Sequence, residues 1–421
     1  TENTFNFTSG IKFNTSGTLT IKPTDGNSFA STFDTSSLSY SLDVSGLTIG
    51  HTDNAGDVTI GSNTFITGDI KLYGGDISVN GSLNTSSVSG GDILLKASKG
   101  ITQVASTSVI THGDDVVLWA NSDGETSNGE VILESTSSIS TSNGNLWIGG
   151  SITSGGSTLW NGLTVGDGYA TSGEAEKSWY AGVFLDEVSL NTDGGDIYIA
   201  GKNITKTIGA AGFISHNGNT GTSINSGSGT IEIKGVNENS SSPFGIMFGL
   251  HPTTYNGDFK LTSSSDDTTA INLYGSAKQE DGILIEDEAN IIATGTGIVL
   301  ITGESTSQKG LSLGNSANWG VFNILSSTGD ITLDVGNTGI EIVNASGVNS
   351  TLTMGTKSGT GVTSSQSNIS LISDYLSLSN LFFDTSGTVT IKPVDTKSFT
   401  STFDTSNISY SSDVSGLTIG H

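Results

Sequence analysis

Gly68-Asp69-Ile70-Lys71-Leu72-Tyr73-Gly74-Gly75-Asp76-Ile77-Ser78-Val79 contains one phrase twice: Gly-Asp, then a short alternation of apolar and polar residues. A period of two marks a half-buried strand, and the Gly-Asp pair marks the corner before it. The phrase returns at Gly56-Asp57-Val58, Gly91-Asp92-Ile93, Gly195-Asp196-Ile197, Gly257-Asp258-Phe259 and Gly329-Asp330-Ile331. The expected division of labour is that Gly supplies a positive φ, Asp caps its own backbone two residues on, and the next residue enters the extended region. Thr18-Leu19-Thr20-Ile21, Asn145-Leu146-Trp147-Ile148, Thr230-Ile231-Glu232-Ile233, Ile298-Val299-Leu300-Ile301 and Thr388-Val389-Thr390-Ile391 read as strands of the same form without the Asp.

No segment carries an apolar stripe at helical spacing, and each interior Gly would cost a helix about 1 kcal/mol relative to Ala. The class is therefore all-β. Hairpin-built sandwiches of this length would need several domains and linkers, whereas only four Pro occur and no linker is evident. An elongated parallel β-helix, or β-solenoid, fits better, because each coil needs inward apolar residues, small corners and polar outer faces. At roughly 20 residues per coil and strands about 4.8 Å apart, residues 1–421 are expected to form a single continuous rod of about 20 coils, on the order of 100 Å long.

Composition points the same way. Ser, Thr and Gly supply more than two-fifths of the 421 residues, and 41 acidic residues against 15 cations leave a net charge of −26. All the cations are Lys, so the clustered Arg of a nucleic-acid surface is missing and no nucleic-acid partner is expected. The absence of Cys excludes disulfides and thiolate metal sites. No apolar run is long enough to cross a bilayer as a helix, and Thr1–Gly10 lacks the basic and apolar regions of a signal peptide, so any export signal is expected outside these residues.

A second repeat acts at longer range. Residues 14–51 and 384–421 align without a gap at an offset of 370, with 29 of 38 positions identical. Apolar changes are mild, Leu19 against Val389 and Leu38 against Ile408. The chain is thus expected to hold one whole unit, as long as that offset, and the beginning of the next. Residues expected at a junction between units are Thr18, Leu19, Ile21, Phe29, Phe33, Leu47 and Ile49, with Val389, Ile391, Phe399, Phe403, Leu417 and Ile419.

Two stretches break the rhythm, 160–188 and 236–256, and read as loops extruded from a coil. Their large apolar residues, Trp160, Trp179, Tyr180, Phe244, Met247, Phe248 and Tyr255, most of them aromatic, either meet a partner or glycan or fold down to shield the core. Carboxylate pairs for glycoside chemistry are sought at Asp114–Asp115, Asp266–Asp267 and Glu286-Asp287-Glu288, where a solvated acidic turn is the competing reading. A lyase of this shape would commonly rely on Arg, and there is none. His51, His112, His216, His251 and His421 show no pairing at ligand spacing, and no Ser-His-Asp arrangement stands out. Asp69 and Asp76, in stacked Gly-Asp turns, are candidates for a structural Ca²⁺; no other cofactor is expected. Nine Asn-x-Ser/Thr sequons, among them Asn84 and Asn203, leave glycosylation open.

The Gly-Asp-Ile run, the phrases Asn143-Gly144-Asn145-Leu146-Trp147-Ile148 and Gly201-Lys202-Asn203-Ile204-Thr205, and the lack of Cys resemble the filamentous haemagglutinin-like giant bacterial surface exoproteins. That resemblance implies a right-handed parallel β-helix, export across an outer membrane and use as an adhesin or fibre. The expected function is a non-enzymatic, extracellular structural protein at a cell surface, stacking end to end with itself and serving adhesion or matrix and biofilm building. The alternative is a polysaccharide-active or glycan-binding β-helix.

Overall fold

The computed structural model describes residues 10–24, 26–85, 90–125, 129–172, 180–204, 210–240, 244–249, 257–286, 288–314, 320–344, 350–357, 360–394 and 398–420. The chain divides into two compact units, Thr1–Thr205 and Lys206–His421. Each is a parallel β-helix, with three sheets visited in turn and no helix among the described residues.

In unit one the first sheet runs through Thr18–Ile21, Gly46–Ile49, Asp69–Gly74, Ile93–Ala97, Val116–Trp119, Leu146–Gly149 and Ile197–Asn203. Its inward residues stack in two rows held by register. Leu47, Ile70, Ile93, Val116, Leu146 and Ile197 form one; Ile49, Leu72, Leu95, Leu118, Ile148 and Ile199 form the other. All twelve are buried. The second sheet adds Phe33, Val58, Ile77, Ile101, Val131 and Val183, and the third adds Leu83, Val109, Ile139 and Leu190. β-Branched side chains suit such rows, since their stiff χ1 loses little freedom when packed on a pleated surface.

Unit two repeats the plan. Its first sheet comprises Ile231–Asn237, Thr269–Ala277, Ile298–Ser305, Ile331–Asp334, Ile369–Ile372, Thr388–Lys392 and Gly416–Ile419. Phe213, Phe248 and Phe259 fill its core, the last two stacked 4.0 Å apart.

Coils are longer than the sequence suggests and vary in length. In the first sheet Gly46 faces Asp69 of the next coil, whereas Leu146 faces Ile197, beyond an inserted antiparallel hairpin, and Ile231 faces Ile271. Among the described residues the first sheet has seven strands in each unit.

The Gly-Asp corners work differently from the sequence expectation. None of their seven glycines has a positive φ. They are glycine because a neighbouring coil comes too close: a Cβ on Gly68 would stand 1.7 Å from the Ser45 carbonyl oxygen, and one on Gly195 1.9 Å from that of Gly144. The Asp does not cap its own turn either. Asp69 accepts from the Asp92 amide (3.2 Å), Asp92 from Asp115 (3.0 Å), Asp115 from Asn145 (2.6 Å), and Asn145 from Asp196 (2.9 Å). Each of these side chains thus satisfies the amide at the same corner of the next coil, an amide left over because the strand has not yet begun.

Buried hydroxyls finish the corners. The Thr111, Thr141 and Thr192 hydroxyls donate to the carbonyls of Asp114, Gly144 and Gly195, and in unit two Ser226 and Ser326 do so to Gly229 and Gly329 at 2.6 Å. Part of the Ser and Thr abundance therefore lies inside the coil corners, where it serves backbone groups that water cannot reach.

Candidate functional site

Three places compete: the sheet edges at the duplicated segment, an aromatic cluster in unit one and an acidic cleft in unit two.

The duplicated segment occurs in two different surroundings. In the first copy Thr18–Ile21 is a terminal strand, and Gly46–Ile49 lies between it and Asp69–Gly74. In the second copy Thr388–Lys392 lies between Ile369–Ile372 and Gly416–Ile419, and Gly416–Ile419 is the terminal strand. Exposure follows position. Leu47 and Ile49 are 1% and 0% exposed, whereas their counterparts Leu417 and Ile419 are 46% and 43% exposed. Phe29 and Phe33 are buried, while Phe399 and Phe403 are half-buried. Leu19 is half-buried and Thr18 exposed, Ile21 is buried, and Val389 and Ile391 are fully covered. Within each copy the two first-sheet strands pair in the same register, Leu19 with Leu47 and Val389 with Leu417, whereas Phe33 lies in a strand and Phe403 does not.

The aromatic cluster accounts for Trp160. Outward positions of the first sheet place Leu94, Val117, Trp147 and Tyr198 in one row and Trp119 beside it. The antiparallel pair Ser157–Trp160 and Leu163–Gly166 covers them, with Val165 buried in the cluster and Trp160 packed 6.0 Å from Tyr198. Trp147 and Tyr198 stack with an interplanar angle of 5°. Lys96 lies over the Trp119 ring, and burial lowers its pKa. Trp160 therefore serves as a cover over outward apolar residues.

The loop reading of 236–256 is corrected for Phe244–Phe248. This is a strand of the second sheet of unit two, paired with Ala210–His216 and Ile283–Ile285, and Met247 and Phe248 are buried. Likewise Tyr180–Asp186 in 160–188 is a strand. Both stretches read as loops in sequence because consecutive apolar residues hide the period of two. Trp179 and Tyr255 lie outside the described residues, as does the Tyr180 side chain.

Sequence pairs of carboxylates do not converge. Asp114 accepts from the Gly91 amide (2.9 Å) while Asp115 serves Asn145, and Asp266 binds the Thr296 amide (2.8 Å). Glu286 is buried and Glu288 exposed, with Asp287 outside the described residues. His51 is held in a turn by the Asn27 carbonyl (2.7 Å), His112 and His216 are the other described histidines, and His251 and His421 lie outside the described residues. Asp69 sits with Asp92 at one corner and pairs with Lys71 (2.8 Å); Asp76 stacks on Asp57 at another, with Lys99 Nζ 3.7 Å away. Burial raises the Asp76 pKa, and burial raises that of Asp92 with its neighbours Asp115 and Asp69 adding to it. Among the described residues no three His, Asp or Glu form a group able to hold a metal ion.

An acidic cleft escaped the sequence. About 320 Å³ in volume, it is lined by Glu280, Asp281, Glu286 and Glu341 together with Lys309 and Phe244. Asp281 accepts from the Lys309 amide (3.0 Å), and burial pushes its carboxyl up to about 6. Lys309 Nζ lies 3.5 Å above the Tyr375 ring and 4.0 Å from Glu341. Glu280, Asp281 and Glu286 are close in sequence, and Glu286 belongs to the acidic run singled out above, but Lys309 and Glu341 join them from further along the chain, so no single local motif announces the cleft.

Comparison of the chain with protein-family models, curated proteins and solved structures finds no match.

Proposed function

We propose that these residues are part of a non-enzymatic extracellular structural protein of the filamentous haemagglutinin-like kind, built as a tandem array of β-solenoid units and used at a bacterial surface for adhesion or matrix building. The observation that carries this reading is the duplicated segment, 14–51 and 384–421, whose strands pair in the same register in both copies, Leu19 with Leu47 and Val389 with Leu417. Parallel ladders propagate without a natural stop, because each coil offers the next a full row of amides, carbonyls and apolar side chains. The acidic sides discourage lateral fusion of such arrays.

Electron microscopy of the native material tests it. Filaments with a regular axial repeat are expected; isolated globular particles would refute the reading.

The acidic cleft favours a second reading, a glycan-active surface in which Asp281, with its raised pKa, is a proton donor. Release of reducing ends from acidic or neutral polysaccharides, abolished by Asp281→Asn, would support it; no release across a polysaccharide panel would dismiss it.

A further inference from the structure

The exposed edge Gly416–Ile419 can be assigned an occupant, because the same sequence is seen covered elsewhere in the chain. We infer that this edge, with Phe399 and Phe403, is a docking face for a second copy of the coil Thr52–Gly74, in the register that coil adopts on Gly46–Ile49. The inference rests on the tandem-array reading and deepens it by naming the partner and the pairing.

The pairing follows from the first copy. Gly46, Leu47, Thr48 and Ile49 face Asp69, Ile70, Lys71 and Leu72, while Phe33 and Asp34 face Val58 and Thr59. Transferred by the offset between the copies, Gly416 to Ile419 face the second Asp69 to Leu72, and Phe403 faces the second Val58. Asn54 then locks the corner. Its side chain accepts from the Phe29 amide (3.0 Å) and donates to the Tyr73 carbonyl (2.7 Å), so the Phe399 amide is the matching donor. The Thr67 amide meets the Val44 carbonyl at 2.9 Å, and Val414 offers the same acceptor.

Two independent features support the assignment. First, the nine differences between the copies avoid the contacts just named. Phe29, Phe33, Asp34 and the whole run Asp43–His51 recur unchanged as Phe399, Phe403, Asp404 and Asp413–His421. Second, two side-chain arrangements of that face recur in the second copy. Phe399 and Phe403 stack at 5.3 Å as Phe29 and Phe33 do at 4.8 Å, and Asp404 accepts from the Ser406 amide at 2.8 Å as Asp34 does from Ser36. Phe33–Asp34 is a strand whereas Phe403–Asp404 is not, so docking would still order that part of the face. Direct abutment of two whole chains fits less well: it would set Gly416–Ile419 against Thr18–Ile21 in an order, second strand then first, that neither copy displays.

The test extends the full chain after His421 with a second copy of residues 52–97 and follows amide hydrogen exchange. Exchange at Leu417–Ile419 is expected to slow on the order of tenfold or more, towards that of Leu47–Ile49, with Ile369–Ile372 unchanged. An extension carrying Ile70→Asp and Leu72→Asp in the added copy is expected to leave the edge as fast as in the unextended chain. No slowing with the unaltered extension, or equal slowing with both, would overturn the inference. Filaments without this protection would remove the inference alone; protection without filaments would remove the array reading alone.

Discussion

The duplicated segment provides an internal control for the energetics of the stack, through Leu47→Ala and Leu417→Ala made separately in the full chain. Both leucines occupy the same place in the same local sequence, Ser-Gly-Leu-Thr-Ile-Gly-His. Leu47 lies between Leu19 and Ile70 with 1% of its surface exposed, so truncation leaves a closed void and should cost about 3 to 4 kcal/mol, the usual sum of transfer and cavity terms. Leu417 has Val389 on one side only and is 46% exposed. There the space opens to water, no cavity term arises, and roughly half of a Leu transfer energy is lost, about 1 kcal/mol. The difference of about 2 to 3 kcal/mol corresponds to roughly a 30- to 150-fold difference in the local opening constant. Amide exchange at Gly46–Ile49 and at Gly416–Ile419, with urea unfolding as a global measure, reads both effects. Equal losses at the two sites would refute the claim that the following coil is what distinguishes them.

Other expectations bear on the corners, the hairpin and the cleft. Gly195→Ala places a Cβ 1.9 Å from the Gly144 carbonyl oxygen and should lower stability by about 2 to 3 kcal/mol in urea unfolding, while Gly17→Ala, whose nearest contact would be 3.6 Å, should change it by less than about 0.5 kcal/mol. Trp147→Ala removes the ring stacked on Tyr198 beneath the hairpin and should cost about 3 kcal/mol or more, with limited proteolysis at Asn161–Gly162 accelerating; unchanged cleavage would count against the covering role. Asp281 has its folded pKa raised to about 6, so the folded state holds its proton more tightly than the unfolded chain and stability falls as pH rises from about 4 through about 6, by up to about 3 kcal/mol. Asp281→Asn keeps an acceptor for the Lys309 amide and should flatten that part of the curve, measured as the shift in urea midpoint between about pH 4.5 and pH 7; an unaltered slope would show that the carboxyl does not feel its burial.

Period two and the Gly-Asp corners were enough to read the fold class, since inward rows such as Ile70, Ile93 and Val116 require nothing beyond alternation. The corner chemistry was legible only in position. Nothing in a single sequence tells that the partner of Asp92 is the amide of Asp115 rather than its own turn, because the pairing arises only when coils stack. Phe244–Phe248 was misread because an outward Met247 that is buried removes the polar half of the alternation. The acidic cleft stayed hidden for the opposite reason: Asp281 and Glu341 are ordinary acids in sequence and become neighbours through coil geometry alone. By contrast, the correspondence of the two copies of the duplicated segment could be read residue by residue, and both pair their strands in that register.

Stacking identical corners creates an electrostatic problem, and Asn positions show how it is relieved. Asp69, Asp92 and Asp115 are superposed coil on coil, and repulsion from Asp115 and Asp69 adds to burial in raising the Asp92 pKa. At the next level the ladder carries Asn145, which accepts from the Asp196 amide as an Asp would and also donates from Nδ2 to Asp115 at 2.9 Å. Unit two uses the same device: Asn368 accepts from the Thr388 amide and donates to Asp330 at 3.1 Å. An amide side chain thus preserves the acceptor each corner requires while replacing a like charge with a donor. Lys71 on Asp69, and Lys99 between Asp57 and Asp76, relieve other levels from outside. A run of Gly-Asp corners would otherwise accumulate charge with every coil, so the interruption by Asn belongs to the same physical design as the repetition, and it allows a chain of net charge −26 to stack its acids at all.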